Sequence, residues 1–109
     1  MSTLDEILDR MTLRGAELLR FKAGEIPEVC VQGQSYPIQR VAIVDLQITK
    51  IAKELADSEA LVRIERRIPC AFRYRTFVFR LSFPDNEALL EVTPGKKVAA
   101  PEFVSNSDR

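Results

Sequence analysis

Cys30 and Cys70 are the side chains to consider first for chemistry, because the chain contains no histidine. Histidine is the commonest general base and a frequent metal ligand, so Ser-His, Cys-His and His-metal chemistry are excluded. The two cysteines are far apart in the sequence and match neither a redox motif nor the spacing of a zinc site. We expect both to be small, buried, apolar side chains of a protein in a reducing cytosol.

The carboxylates and glycines give no support for acid–base or phosphate chemistry. The pair Asp5/Glu6 falls at a predicted helix start and the pair Glu25/Glu28 near a predicted loop, so neither is expected to form a shared buried site. The four glycines form neither GxxxxGK[ST] nor GxGxxG, so no phosphate-binding loop is predicted. The sequence therefore predicts a chain that is not an enzyme and has no catalytic residue, metal or cofactor.

Arginine is concentrated in one segment of an otherwise balanced chain. The 16 basic and 16 acidic side chains cancel, which argues against nucleic acid or an anionic membrane as a partner. Residues 60–83 nevertheless contain six arginines and one acidic residue, Glu65. Arginine forms bidentate pairs with carboxylates and is enriched at interfaces, so we predict contact with an acidic protein surface, with a plain solvated face as the alternative. The predicted interaction residues are Arg63, Arg66, Arg67, Arg73, Arg75 and Arg80.

The first third predicts one helix and three strands. Apolar residues at helical spacing predict a helix over Leu4–Arg14, begun by a capping box of Thr3 and Glu6 and ended by Gly15 in the left-handed conformation. Alternating polarity then predicts a strand over 17–22 and a hairpin that turns at Gly33. Its return arm contains Pro37, which favours an edge position.

The middle of the chain predicts two further helices. Asp45 is predicted to cap the second, whose inner face carries Ile48, Ile51, Ala52 and Leu55. Asp57 or Ser58 is predicted to cap the third, which should end at Pro69. Its inner stripe is predicted to be Leu61, Ile64 and Ile68.

The last third predicts three strands. Apolar parity flips between Tyr74 and Phe77, so a tight turn or bulge is predicted near Arg75–Thr76. A turn at 84–86 separates the strand that follows from a final one over 88–92. If residues 77–83 lay at a sheet edge, strand pairing would favour a homo-oligomer.

The predicted order is α-β-β-β-α-α-β-β-β. Runs of strands without βαβ alternation favour an α+β fold with a mainly antiparallel sheet and helices packed on one side. At 109 residues the chain fits a single domain, which we place at residues 1–95, followed by a mobile polar tail over 96–109. No signal peptide and no apolar stretch of membrane-spanning length is seen, so we expect a cytoplasmic protein without membrane insertion.

One ordered series of motifs resembles the N-terminal domain of PilT-type motor ATPases, which retract type IV pili. Gly15–Gly24 (GAELLRFKAG) resembles the G-A-S-D-L-H-L-S-A-G of that family, and Ile26–Gly33 follows without a gap. Phe72–Tyr74 lies where the family has D-F-S-F, and Phe79–Ser82 resembles its F-R-V-N strand. Glu91–Pro94 resembles its closing strand. The resemblance covers about residues 3–94 and implies a PAS-like α+β domain.

The same comparison shows which family residues are replaced. Glu17–Arg20 stands where the family has S-D-x-H, and Pro69 and Ala71 stand where it has acids before F-S-F. The nucleotide-binding domain of the motors is not in this sequence, so the resemblance implies the fold without ATP chemistry.

The resemblance also implies a role. It favours a non-enzymatic interaction or regulatory module that docks on a motility, pilus or secretion complex, its partner a motor ATPase or a motility or polarity protein. The alternative is a PAS-like domain that senses a small molecule or nucleotide, and a degenerate enzyme is the weakest reading.

Overall fold

The architecture is one antiparallel sheet covered on a single face by helices. The computed structural model describes residues 3–95, and within this range the chain forms three α-helices and six strands in the predicted order. The helices are α1 (Thr3–Arg14), α2 (Asp45–Leu55) and α3 (Ser58–Glu65). The strands are β1 (Leu18–Lys22), β2 (Glu28–Val31), β3 (Gln34–Pro37), β4 (Cys70–Tyr74), β5 (Phe77–Ser82) and β6 (Leu89–Pro94). The predicted α+β class, with helices on one side, is confirmed.

The strand order in the sheet is β3-β2-β1-β6-β5-β4, with every neighbouring pair antiparallel. Because side chains alternate along each strand, the register places all the buried sheet residues on the same face. Leu19 lies opposite Val92, and Val92 lies opposite Phe79. Phe72 continues this row on β4 and stacks on the ring of Phe79, with centroids 5.3 Å apart.

The helices supply the other half of the core. Leu8 and Met11 of α1, Ile48 of α2 and Ile64 of α3 are each buried. These are apolar positions at helical spacing, so each helix buries one stripe against the sheet and leaves its polar side in solvent. The opposite face of the sheet has no helix from residues 3–95 on it and carries the alternate side chains of each strand, both charged ones such as Arg80 and Glu91 and apolar ones such as Leu18, Val78 and Leu89.

Local signals explain most of the element boundaries. Gly15 has a φ of 68° and ends α1, as predicted, and Asp57 accepts a hydrogen bond from the backbone N–H of Ala60 and caps α3. Pro37 lies on β3, an edge strand, where its missing N–H costs least. The predicted capping box of α1 rests on the side chain of Thr3, which lies outside the described residues, as does the predicted tail over 96–109.

Two sequence expectations about the helices are wrong. Asp45 is the first residue of α2 rather than its cap, because its carboxylate is bound elsewhere; the Gln47 side chain instead accepts a hydrogen bond from the N–H of Val44. Helix α3 ends at Glu65 and not at Pro69, because Arg67 adopts a positive φ of 58°. Ile68 therefore lies beyond the helix and is 43% exposed rather than part of its inner stripe.

Two expectations about the strands also need correction. The apolar strand over 77–83 does not lie at an edge, because β5 pairs with β4 on one side and β6 on the other. Its backbone hydrogen-bonding groups are therefore used on both sides, and strand pairing through it is not available to a homo-oligomer. The final strand runs over Leu89–Pro94 and the first begins at Leu18, so both are shifted from the predicted bounds.

Candidate functional site

The six arginines singled out by the sequence are divided between two faces of the molecule. Arg63 and Arg66 are exposed at the end of α3, on the helical side. Arg73 and Arg80 are exposed on the opposite face of the sheet, because they alternate with core residues on β4 and β5. These four arginines therefore form two pairs, one on each face of the molecule.

Arg67 is engaged by contacts within the fold, although its side chain is about one-third exposed. Its guanidinium forms a bidentate pair with the carboxylate of Asp45, at 3.1 Å and 2.9 Å, and donates to the carbonyl oxygen of Asn86 at 2.9 Å. The same guanidinium lies 4.6 Å from the ring centre of Phe83, within cation–π range. Because Asp45 also accepts the N–H of Ala88 at 2.7 Å, this pair ties the start of α2 to the segment before β6.

The ionisation of this pair follows from its geometry. The hydrogen bonds from Arg67 are the largest influence on Asp45, and they hold the pKa of its carboxyl below the ordinary value in spite of its partial burial. The pKa of Arg67 is raised by the same contact. Both groups are therefore charged at neutral pH, and Arg67 has little freedom to meet an external partner.

Arg75 is also held by the chain itself. Its guanidinium forms an ion pair with Asp9 of α1 and donates to the backbone carbonyl of Asp5 at 3.3 Å. Next to it, the hydroxyl of Tyr74 donates to the carboxylate of Asp5 at 2.9 Å, which raises the pKa of Tyr74 because ionisation would place two negative charges together. Arg75 and Tyr74 thus fix the acidic flank of α1 against the β4–β5 turn.

The remaining four arginines differ in how strongly they are engaged. Arg63 forms a 3.5 Å pair with Glu59 one turn earlier on α3, a solvent-exposed contact of small energy. Arg80 lies opposite Glu91 on β6 and forms no ion pair with any residue of the described range 3–95. Within residues 3–95, Arg66 and Arg73 also have no ion pair. Of the predicted set, Arg63, Arg66, Arg73 and Arg80 can therefore contact a partner without dismantling the fold.

A concave site that the sequence analysis missed lies on the other flank of α1. It is a groove of about 500 Å³ between α1 and the face of the β2–β3 hairpin, and its apolar lining includes Ile7, Met11, Val29, Val31 and Ile38. Arg10 and Arg14, at the i and i+4 positions of α1, line it on the helix side. The sequence shows the apolar stripes of α1 and of the hairpin, but the gap between them depends on tertiary placement.

The cysteines take no part in either region. Both are free thiols and half-buried rather than fully buried as expected. Cys30 donates a weak hydrogen bond to the carboxylate of Glu17 at 3.6 Å, and Cys70 donates one to the carbonyl of Ala60 at 3.9 Å. Burial raises the pKa of the Cys70 thiol, which makes it a poor nucleophile.

Over residues 3–95 the structure brings no three of the acidic, cysteine or histidine side chains close enough to hold a metal ion. In the same range no helix is both long and apolar enough to cross a membrane. The exposed arginines can form ion pairs with a partner, and the groove beside α1 can bury apolar surface of a partner. Both are binding functions.

Comparison with solved structures finds the same fold within two ATPases. The X-ray structure of the Legionella pneumophila ATPase DotB matches with a TM-score of 0.62 at 12% identity, over 84% of this chain and 28% of that chain. The Yersinia pseudotuberculosis ATPase DotB matches with a TM-score of 0.61 at 13% identity, over 84% of this chain and 29% of that chain. The chain therefore spans less than a third of the ATPases it matches, and at this identity the likeness shows the fold. No family model and no curated protein sequence matches the chain.

Proposed function

We propose that the chain is a non-enzymatic protein-interaction module that docks on a bacterial motility, pilus or secretion complex, with a motor ATPase of that complex as its partner. The observation that carries the proposal is the fold, which covers 84% of the chain and is shared with part of two ATPases. A module with the fold of one part of an ATPase presents a similar backbone surface to the neighbours of that part. This step is an argument from fold analogy, so it needs a direct test.

The arginines supply the chemistry of contact in this proposal. Arg63 and Arg66 present two guanidinium groups on the helical side, and Arg73 and Arg80 present two on the open face of the sheet. A guanidinium binds a carboxylate through two parallel hydrogen bonds, which gives orientation as well as attraction. An acidic surface on the partner is therefore the expected complement of one of these pairs.

The test measures binding between the purified chain and the purified motor ATPase from the same bacterium, by isothermal titration calorimetry. Two double variants separate the faces: Arg63→Glu with Arg66→Glu, and Arg73→Glu with Arg80→Glu. The matched control is Lys50→Glu with Lys53→Glu, which reverses the same number of exposed charges on α2. One arginine variant should weaken binding about tenfold or more, and the control should bind as the wild type does.

Three results would contradict the proposal or a part of it. If wild-type chain and ATPase do not associate, the docking role is wrong; if they associate and neither arginine variant weakens the complex, the predicted contact is wrong. Hydrolysis of ATP by the purified chain alone, above the level of a sample without protein, would overturn the non-enzymatic part.

A further inference from the structure

Asp5 and Asp9 lie on a flank of α1 that the fold neutralises, whereas Arg10 and Arg14 lie on the other flank, one turn and two turns after Glu6, which has no ion pair within residues 3–95. Asp5 and Asp9 face the β4–β5 turn, where Arg75 binds them. Arg10 and Arg14 lie on the other flank beside the groove, and neither has an ion pair within residues 3–95. The groove thus has two unneutralised positive charges along one wall.

The rest of the groove is apolar and partly open. Val29 and Val31 of β2 are only half-buried, since no helix covers this part of the sheet. Tyr36 of β3 lines the edge of the groove, is 47% exposed, and donates a hydrogen bond from its hydroxyl to the side chain of Gln34 at 2.7 Å. An apolar floor beside aromatic and cationic side chains is the composition of a binding site.

We propose that this groove binds an amphipathic acidic segment of a protein partner. Apolar side chains of the segment pack against Ile7, Val29 and Tyr36, and its carboxylates pair with Arg10 and Arg14. The inference rests on the proposed function as a protein-interaction module, and it names the chemistry of the partner segment.

The spacing of the two arginines favours a peptide over the other possible occupants. Side chains at i and i+4 of a helix lie about 6 Å apart, so Arg10 and Arg14 match two carboxylates spaced along a chain better than one small carboxylate. A second copy of this chain packed groove to groove would bring four arginines together, and like charges across an interface oppose association.

The experiment selects peptides from a random displayed library on the full chain. We expect the enriched peptides to combine apolar residues with Asp or Glu. Fluorescence anisotropy then measures their affinity for the variant Arg10→Glu with Arg14→Glu, which should fall about tenfold, and for the control Lys50→Glu with Lys53→Glu, which should not change. Arg10→Gln with Arg14→Gln gives a milder loss and serves if the reversal variant does not fold.

A second pair of variants tests the apolar half of the site. Tyr36→Ala should weaken the same peptides, while Leu46→Ala, which removes a 76% exposed apolar side chain on α2, should not. In NMR spectra the bound peptide should shift the methyl signals of Ile7, Val29 and Val31. These residues line the groove, so shifts confined to other methyl groups would place the peptide elsewhere and contradict the inference.

Four other results would overturn it. The library could enrich no peptide, or it could enrich peptides without acidic residues. The enriched peptides could bind the wild type and the Arg10/Arg14 reversal variant with equal affinity. Finally, the groove methyl signals could be shifted by octanoate, as a small apolar carboxylate, or by self-association of the chain, but by no peptide. If the chain does not bind the motor ATPase but acidic peptides are still selected, the proposed partner is wrong and the groove inference stands. If the chain binds the motor ATPase but no acidic peptide is selected, only the groove inference is wrong.

Discussion

Arg67 and Arg75 show how a single residue can serve the fold while looking like part of a binding surface. Arg67 lies two residues after the end of α3 and Arg75 directly after β4; both have a φ of 58°, and both turn their side chains back onto carboxylates. Their partners are 22 and 66 residues away in the sequence. Composition therefore reveals the cluster of arginines, but local patterns could not show which members are already paired.

The Asp45–Arg67 pair predicts a defined effect of pH on stability. Asp45→Asn removes the charge that Arg67 and the N–H of Ala88 bind, and at pH 7 it should lower Tm by roughly 5 °C, since the carboxylate is one-third exposed and its pairing is partly screened. Because folding lowers the pKa of Asp45, its contribution is complete above the ordinary value of 3.8 and is lost as the pH falls through the folded value. Thermal unfolding at pH 7 and pH 3 measures the change.

The matched control is Glu54→Gln, which removes an exposed carboxylate from the same helix. Its Tm should equal that of the wild type at both pH values. The gap between wild type and Asp45→Asn should be wide at pH 7 and narrow at pH 3, so a gap that stays constant or widens at low pH would show that the pair does not act through ionisation.

Tyr74 gives a second prediction at this scale. Its hydroxyl donates to Asp5, so its pKa is raised, and in a Tyr36→Phe background its ultraviolet titration should have a midpoint above that of free tyrosine. Asp5→Asn should lower that midpoint, because the negative charge that opposes ionisation is gone. A midpoint unaffected by Asp5→Asn would mean that the hydrogen bond does not persist in solution.

At the scale of elements, the sequence predicted the order and most boundaries because each rests on a local cause. Gly15 ends α1 and Asp57 caps α3 through contacts within a few residues. The failures at Asp45 and Pro69 have long-range causes, since α2 and α3 are adjusted by the contacts of Asp45 and Arg67 across the fold. The groove was missed for the same reason, because it is a distance between two elements and not a property of either one.

The β2–β3 hairpin carries a prediction about its turn. Both loop residues have positive φ, 53° at Gln32 and 81° at Gly33, as a type I′ turn requires. Glutamine adopts this conformation at a cost, whereas asparagine is favoured there, so Gln32→Asn should raise the free energy of unfolding by about 0.5 kcal/mol. Urea unfolding measures the difference.

Gly33→Ala tests the same turn with a change that should destabilise it. A Cβ at Gly33 meets no atom within 4 Å, so any loss comes from the backbone conformation alone. It should lower the free energy of unfolding by about 1 kcal/mol, and a neutral result at both positions would show that the turn differs from type I′ in solution.

For the whole molecule, the two faces of the sheet carry different features. The helical face contains the buried core and the groove, and the open face contains Arg73 and Arg80 among alternating charges. The sheet ends in two edge strands, β3 and β4. Pro37 removes one backbone donor from β3, which opposes pairing of that edge with another strand. The groove and the arginine pairs bind through side chains on the faces of the sheet and helices, so a partner there does not need to pair with an edge strand.

Truncation after Gly95 tests whether this two-layer unit is the folding unit. Within residues 3–95 the buried core runs from Leu8 to Val92, and β6 ends at Pro94 between β1 and β5, so we expect these residues to fold without 96–109. The truncated chain should show the circular dichroism of the full chain and a Tm within about 4 °C of it, the change expected for less than roughly 1 kcal/mol. It should also bind groove-selected peptides with unchanged affinity. A larger loss of Tm would mean that residues 96–109 contribute to the folded unit, and the domain boundary predicted from the sequence would then be wrong.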